Sequence, residues 1–232
     1  MPGGGGYQQP YSVGDAFSYG WKKFVANLGP IVLATLVAIL GSVIINGIGF
    51  ALFGSGSSTT TKADGSVSTS FNVTGSLGSL VFSLLAVLFS LVITAGIIRA
   101  TLEITRGRPV EMSTVFNLKN IGAVLITSIL TTVMITIGLV LCVIPGLIAA
   151  VLTMFSLHFV IDKGMSPIDA IKASVSLVKN NLGSVVIFAL LSLVAFIVGA
   201  LLCGIGLLVA YPVVYIGMAY TYRHLQGEPV AP

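Results

Sequence analysis

Long uncharged stretches dominate the chain. Residues 30–53 and 77–98 hold 24 and 22 residues without a charge, and each is long enough to cross a ~30 Å hydrocarbon core as one helix. Residues 121–161 and 182–222 are uncharged stretches of 41 residues each, which is too long for one span and fits two. The pattern therefore predicts six membrane-spanning helices.

Both of the longer stretches contain a break typical of a turn between helices. Pro145 and Gly146 interrupt the first stretch, and Gly204 to Gly206 interrupt the second. The predicted fold class is therefore all-α: a polytopic membrane protein with six transmembrane helices in three helical hairpins, at about residues 30–98, 121–161 and 182–222.

Polar segments flank and connect these hairpins. Residues 1–11 are rich in Gly, Pro and Gln, which predicts a flexible tail, and they lack the order of a secretory signal. Residues 12–224 are predicted to form one membrane domain, in which residues 54–76 are the sizeable outside loop. Residues 225–232 are predicted to form a short second tail.

The cations divide unequally between the two sides of this topology. With the N-terminus inside, Lys62 is the one residue of the 11 Lys and Arg that falls outside. Cytoplasmic loops of membrane proteins carry an excess of Lys and Arg, so both chain termini are predicted to be cytoplasmic.

The chain matches itself at offsets of 61 and 154 residues. This predicts three repeated units, each a cytoplasmic lead-in followed by a hairpin. The pairs that carry the match include Asp15 and Asp169, Asn27 and Asn181, Gly138 and Gly199, and Cys142 and Cys203.

The lead-ins of the first and third units have the apolar 3/4 spacing of amphipathic helices. Ser12 and Ser166 are predicted N-caps, and Pro167 occupies the favoured first helical position. Such basic helices suit anionic lipid headgroups, although they could equally cap the inner end of the bundle. The candidate headgroup contacts are Trp21, Lys22, Lys23, Arg106, Arg108, Lys172 and Lys179.

Composition agrees with a lipid environment. Only 8% of the residues are charged, against roughly 25% in a soluble domain. A soluble protein could not cover its surface with so few charges, so a water-soluble enzyme is excluded. The net charge of +4 is too small for a nucleic-acid-binding surface.

The chain carries few groups that could do chemistry. The two His do not stand at a metal-ligand spacing from Cys or carboxylates, and the 7 Asp and Glu are scattered. The sequence predicts no catalytic residue, no metal and no cofactor. Arg99 and Glu103 lie four residues apart at the end of the second span, which favours a structural ion pair over a gate.

Hydroxyl groups and small residues mark the spans. Thr127, Ser128, Thr131, Thr132 and Thr136 favour helix packing in the third span, with a passive substrate path as the alternative. Small residues predict a packing seam where the three units meet. Its members are Gly41, Gly49, Gly138, Cys142, Ala195, Gly199 and Cys203.

Cys142 and Cys203 allow two interpretations. Both are predicted near the outer ends of their spans, where a disulfide could join two hairpins. A disulfide requires the two Cα atoms to lie within ~7 Å, and sequence alone cannot show that distance. We favour the other interpretation, two small buried thiols that fill the seam.

Several short motifs resemble a known group. Val143-Ile144-Pro145-Gly146, Val160-Ile161-Asp162, Ser166-Pro167, and Tyr19-Gly20-Trp21-Lys22-Lys23 resemble those of bacterial integral membrane proteins of unknown function. That group is related to the membrane region of glycerophosphodiester phosphodiesterases. The resemblance implies a bacterial plasma-membrane protein, and because no hydrolase domain is attached, it implies no phosphodiesterase activity.

The functional prediction is a non-catalytic scaffold or accessory subunit. It would interact with membrane lipids and with a membrane protein partner or a second copy of itself. The alternative is a transporter or channel for a small neutral or lipid-like molecule. An enzyme would require an essential group among residues such as His158 or Asp162 that we interpret as structural.

Overall fold

The computed structural model describes residues 11–54, 57–61, 67–71, 73–109, 119–202 and 206–232. Within these residues the regular secondary structure is helical except for one short β-hairpin. The helices are α1 (Val13–Ala26), α2 (Leu28–Phe53), α3 (Val73–Thr105), α4 (Ile121–Leu141), α5 (Val143–Thr153), α6 (Ser156–Lys163), α7 (Pro167–Asn180), α8 (Leu182–Leu201) and α9 (Leu207–Leu225).

The β-hairpin lies between α2 and α3, in the segment predicted as the outside loop. Strand β1 (Ser57–Thr61) pairs antiparallel with β2 (Val67–Phe71), so that Ser57 lies opposite Phe71. The runs of Ser, Thr and Val favour extended backbone over helix. The all-α prediction is therefore correct for the membrane part and misses this small element.

Stretches long and apolar enough to cross a membrane make up most of the described chain. They are Thr35–Phe53, Val73–Thr105, Ile121–Leu141, Val143–Lys163 and Leu182–Leu201. Large apolar side chains on these stretches are exposed, such as Val140 at 81% and Leu141 at 77%. So much exposed apolar surface is stable in lipid and not in water.

Helix α9 is not among these stretches, although it was predicted as the sixth span. It carries four Tyr, together with Arg223 and His224, which reduce its apolar character. The neighbouring helices bury much of it, and Ile216, Ala219 and Tyr222 have no exposed surface. A helix enclosed by protein does not need an apolar surface on every side, so the six-span count stays a prediction.

The buried core lies toward one end of the helices, here called the charged end, where α3, α6 and α9 finish. Phe155, Tyr222, Leu102, Val124 and Val178 are each at most 1% exposed there. Near the opposite end, α2 and α3 are joined through the β-hairpin, and the ring centroids of Phe53 and Phe82 are 5.8 Å apart.

The predicted break at Pro145 and Gly146 is displaced in the structure. Helix α4 ends at Leu141, Cys142 is extended with φ −171° and ψ 152°, and α5 begins at Val143. Pro145 and Gly146 therefore lie inside the first turn of α5, where the missing N–H of proline costs no helical hydrogen bond. The second break agrees with its prediction, since α8 ends at Leu201 and α9 begins at Leu207.

The four glycines of the predicted seam pack within hairpins, whereas the prediction places them between units. A Cβ on Gly138 would be 2.8 Å from the Cα of Gly146, and one on Gly206 would be 2.7 Å from the Cα of Gly199. Gly41 and Gly49 of α2 lie against Phe89 and Phe82 of α3 in the same way. A neighbouring backbone at Gly138 and Gly199, and a phenylalanine side chain at Gly41 and Gly49, approach so closely that only a hydrogen fits in place of a side chain.

The alanine and the cysteines of the predicted seam differ from its glycines. Ala195 packs against the cluster of Ala16, Phe188 and Val214, which joins α1, α8 and α9. Cys142 has a free and exposed thiol, so the interpretation of a buried thiol is wrong for this residue. Cys203 lies outside the described residues.

The lead-in helices α1 and α7 bury equivalent positions. Helix α1 buries Ala16, Gly20 and Phe24, and α7 buries Ala170, Ser174 and Val178, each 154 residues further on. An asparagine follows each of these helices, Asn27 after α1 and Asn181 after α7. Its side-chain amide donates to the carbonyl four residues earlier, and the next helix starts at the following residue. The three-unit repeat stays a prediction, with this match in its favour.

The predicted caps differ between the two lead-ins. The Ser166 hydroxyl accepts a hydrogen bond from the Asp169 N–H at 3.3 Å, and Pro167 begins the helix as predicted. Ser12 stands at the N-cap position of α1, but its side chain makes no capping hydrogen bond.

Candidate functional site

Ion pairs join several helices at the charged end, and Asp162 at the end of α6 is their centre. The Asp162 side chain is only 2% exposed and pairs with Arg106, which follows α3. The hydroxyl of Tyr222 donates to the second carboxylate oxygen of Asp162 at 3.1 Å. The Nζ of Lys163 lies 3.7 Å from that same oxygen. The buried carboxylate is thus balanced by two cations and one hydroxyl.

Glu103 pairs differently from the prediction. It contacts Arg106 at 2.6 Å and Arg108 at 3.2 Å, two residues of the turn that follows α3. Arg99 instead donates to the backbone carbonyl of Lys119, which precedes α4. The predicted Arg99–Glu103 pair is therefore replaced, because the turn brings two other guanidinium groups to Glu103.

The last residues of the chain lie across the charged end. Glu228 pairs with Lys163 and lies 3.5 Å from Arg223, and Arg223 also donates to the Pro229 carbonyl. The Ala231 N–H donates to the Thr105 carbonyl at 2.9 Å. The segment predicted as a short tail is thus attached to α3, α6 and α9, and no sequence pattern indicated these contacts.

Helix α1 is attached to the same end by its tyrosines. The hydroxyls of Tyr11 and Thr221 are 2.8 Å apart, and Tyr19 donates to the Ile104 carbonyl at 3.4 Å. Burial raises the pKa of both tyrosines to about 12, since it disfavours the charged phenolate. Tyr11 therefore belongs to the packed structure, whereas the rest of the predicted N-terminal tail lies outside the described residues.

A cavity of about 520 Å³ opens at the charged end between α3, α4 and α6. Its lining contains the cations Arg99, Arg106, Lys119 and Lys163 and the carboxylates Glu103 and Asp162. Counted over the described residues, four positive groups against two negative ones give the lining an excess of positive charge. An anion is therefore the ligand that this arrangement favours electrostatically.

The predicted headgroup contacts divide into two groups. The first group is exposed: Lys22 and Trp21 on α1, Lys172 and Lys179 on α7, and Arg108 in the turn that follows α3. The Trp21 side chain is 54% exposed. Lys23 and Arg106 are less available. The first donates to the Pro232 carbonyl, and the second pairs with Glu103 and Asp162.

His158, which the sequence analysis interprets as structural, is buried in the structure. It is 1% exposed, and neither ring nitrogen has a hydrogen-bond partner among the described residues. Its ring centroid lies 5.3 Å from that of Tyr222 and 5.9 Å from that of Phe155. The signal available in the sequence was a single polar ring within an otherwise apolar run.

Two hydroxyl groups of the third span bond within their own helix, and two others are exposed. Thr127 and Thr131 bond to carbonyls of their own helix at 2.7 Å and 2.9 Å, and Thr132 and Thr136 are exposed. A different cavity, of about 400 Å³, lies between α2, α3 and α9. Its hydroxyl groups belong to Thr35, Ser42, Ser90, Thr94 and Tyr211.

Exposed apolar helices, an ion-pair network around the buried Asp162 at one end and several membrane-competent stretches define a multi-pass helical membrane protein. Residues 5–229 match the family described as a domain of unknown function, DUF7847, and the chain belongs to that family. The predicted likeness to membrane proteins of unknown function agrees with this assignment.

The chain is similar to proteins of mycobacteria. It is 37% identical over 230 residues to the uncharacterized protein Rv2560 of Mycobacterium tuberculosis (strain ATCC 25618 / H37Rv), covering 95% of this chain and 70% of the relative. The uncharacterized protein Mb2590 of Mycobacterium bovis gives the same identity and coverage. These relatives support a bacterial setting. No solved structure matches the chain.

Proposed function

We propose that this protein is a non-catalytic scaffold or accessory subunit of the bacterial plasma membrane. It spans the membrane six times, holds both termini in the cytoplasm, and binds anionic lipid headgroups at its charged end. A membrane protein or a second copy of the chain is its partner. The relation to the membrane region of glycerophosphodiester phosphodiesterases belongs to this proposal and stays a prediction.

One observation carries the proposal: at the charged end, Glu103, Asp162 and Glu228 are paired, and cations outnumber carboxylates among the described residues of the cavity lining. Glu103, Asp162 and Glu228 each contact Lys or Arg side chains. A carboxylate held by Lys or Arg side chains is less available to contact a substrate as a general acid or base. The exposed lysines of α1 and α7 can contact anionic headgroups, and each such lysine contributes ~1 kcal/mol to the attraction to an anionic membrane surface.

The proposed topology is supported by contacts between the ends of the chain. Tyr11 contacts Thr221, and Ala231 contacts Thr105, so the first and last described residues meet at one end of the bundle. An even number of membrane crossings, such as six, places both ends of the described chain on the same side of the membrane. The cations gathered at that end support its placement in the cytoplasm, because cytoplasmic loops are rich in Lys and Arg.

The proposal is tested by purifying the full chain from its native membrane in a mild detergent. We expect an enrichment of anionic over zwitterionic lipid by mass spectrometry, together with a stoichiometric protein partner or a stable dimer. A partner-free monomer with the lipid composition of the bulk membrane would contradict the proposal.

The cavity between α2, α3 and α9 supports transport of a small neutral or lipid-like molecule as the second candidate. Hydroxyl groups can replace the hydrogen bonds that such a molecule loses on leaving water. Flux of a labelled compound into vesicles that contain the chain, reduced by Ser90→Ala with Thr94→Val, would favour transport. Thr131→Val with Thr132→Val serves as the control on α4, outside this cavity.

A further inference from the structure

We infer that the cavity at the charged end is a specific site for a phosphomonoester, carried by an anionic lipid of the adjacent leaflet. This inference rests on the proposed function, since it takes headgroup binding at the charged end as given. It adds a defined site and a chemical class of ligand. General attraction between exposed lysines and a membrane surface would require neither.

The charge of the cavity selects the class of ligand. Among the described residues of the lining, the positive groups exceed the carboxylates by two. Of the described residues beyond the lining, Arg108 pairs with Glu103, and Glu228 contacts both Lys163 and Arg223, so these neighbours add no excess of negative charge. A phosphomonoester carries about −1.5 to −2 at neutral pH and matches the excess better than a singly charged diester.

The carboxylates of the lining do not oppose such a ligand strongly. Glu103 is held by Arg106 and Arg108, and Asp162 by Arg106, Lys163 and Tyr222. Their negative charge is thus balanced within the protein. Arg99 from α3 and Lys119 before α4 add positive charge on another side of the cavity.

The shape and place of the cavity fit the headgroup of a lipid. Its volume of about 520 Å³ lies within the range of ~300–1,000 Å³ for small-molecule sites. The cavity lies near the ends of α3 and α6, at the level where lipid headgroups meet transmembrane helices. Leu102 and Ile161 add apolar surface to its lining. Basic pockets between transmembrane helices at the cytoplasmic side are typical lipid-headgroup sites.

Isothermal titration calorimetry on the full chain in a neutral detergent tests this inference. The probe is dihexanoyl phosphatidic acid below its micellar concentration, compared with dihexanoyl phosphatidylglycerol and dihexanoyl phosphatidylcholine. We expect saturable binding of one phosphatidic acid per chain and at least tenfold weaker binding of the other two lipids. Equal affinity for all three lipids would overturn the inference.

Two matched variants assign the binding to the cavity. Lys119→Gln removes a cation of the lining but keeps the backbone carbonyl that Arg99 contacts. Lys172→Gln removes an exposed cation of α7, outside the lining. We expect Lys119→Gln to weaken binding about tenfold and Lys172→Gln to leave it within about twofold. Equal losses would indicate surface attraction alone and overturn the inference, provided that thermal unfolding shows both variants folded.

Glycerol 3-phosphate and inorganic phosphate distinguish the sources of the phosphomonoester. Binding of phosphatidic acid at least tenfold tighter than of either soluble compound assigns the site to lipid. Equal binding of glycerol 3-phosphate, lost in Lys119→Gln, would retain the phosphomonoester and overturn its lipid source. If anionic lipid is enriched on purification while the cavity binds none of these probes, this inference fails and the proposed function stands.

Discussion

The hydroxyl of Ser174 on α7 accepts a hydrogen bond from the Phe155 N–H at 3.1 Å, at the point where α5 gives way to α6. The same hydroxyl donates to the Leu152 carbonyl at 2.8 Å. Two backbone groups released by the break between the helices are thus satisfied by one side chain of the lead-in helix. Buried backbone groups without partners are costly, so this contact stabilises a broken span.

Ser174→Ala should therefore destabilise the chain by about 1–3 kcal/mol, because it leaves the Phe155 N–H buried without its partner. The matched control is Ser176→Ala on the exposed side of the same helix, which should change stability by less than about 0.5 kcal/mol. Thermal unfolding in detergent measures both. Equal effects of the two substitutions would show that the hydroxyl of Ser174 does not support the break.

Gly138→Ala should destabilise the hairpin of α4 and α5. The added methyl would lie 2.8 Å from backbone atoms of Gly146, and relief of such overlap costs about 1–3 kcal/mol. Gly122→Ala on the same helix meets no atom within 4 Å. That control should be neutral or stabilising by up to about 1 kcal/mol, since alanine favours helix over glycine. A Gly138→Ala protein as stable as the control would contradict the close approach of the two helices.

High pH should loosen α1. The pKa of Tyr11 and Tyr19 is raised to about 12 in the folded chain, whereas an unfolded tyrosine ionises near its usual value of 10. The folded state therefore binds more protons than the unfolded state between these values, and stability falls as the pH rises from 10 to 12. The midpoint of thermal unfolding should fall more steeply in the wild type than in Tyr11→Phe with Tyr19→Phe. Identical slopes would contradict burial of these phenols.

Cys142 provides a test of the proposed orientation. Its thiol is free and exposed where α4 meets α5, at the opposite end from the ion pairs. With Cys203→Ser, a membrane-impermeant maleimide should label Cys142 in intact cells. A second chain with Cys142→Ser, Cys203→Ser and Lys172→Cys should be labelled only after the cells are opened. The reverse result would place the charged end outside.

The sequence was sufficient to predict most of the helices. Long uncharged stretches have one stable form in hydrocarbon, because a helix satisfies its backbone internally. Ser166 and Pro167 predicted the start of α7, because an N-cap serine and a proline at the first helical position act on the local backbone. The break at Cys142 was not predicted, since Pro145 is compatible both with a turn and with the first turn of a helix.

The candidate site was less predictable because its geometry depends on residues far apart in the chain. Tyr222 meets Asp162, and Glu228 meets Lys163, over separations that no local pattern encodes. Charge alone suggested a basic rim at this end. It did not show which cations the carboxylates would hold, and so Arg99 was assigned to the wrong partner.

The docking of α1 on α9 has a consequence for biogenesis. Gly20 of α1 approaches Val213 so closely that a Cβ would lie 2.5 Å from its carbonyl oxygen. Helix α1 precedes α9 by almost 200 residues, so part of its binding surface is synthesised much later than α1 itself. Until residue 207 and the following turns of α9 have been made, the side of α1 that packs on α9 is uncovered, and its amphipathic face can rest on the membrane surface.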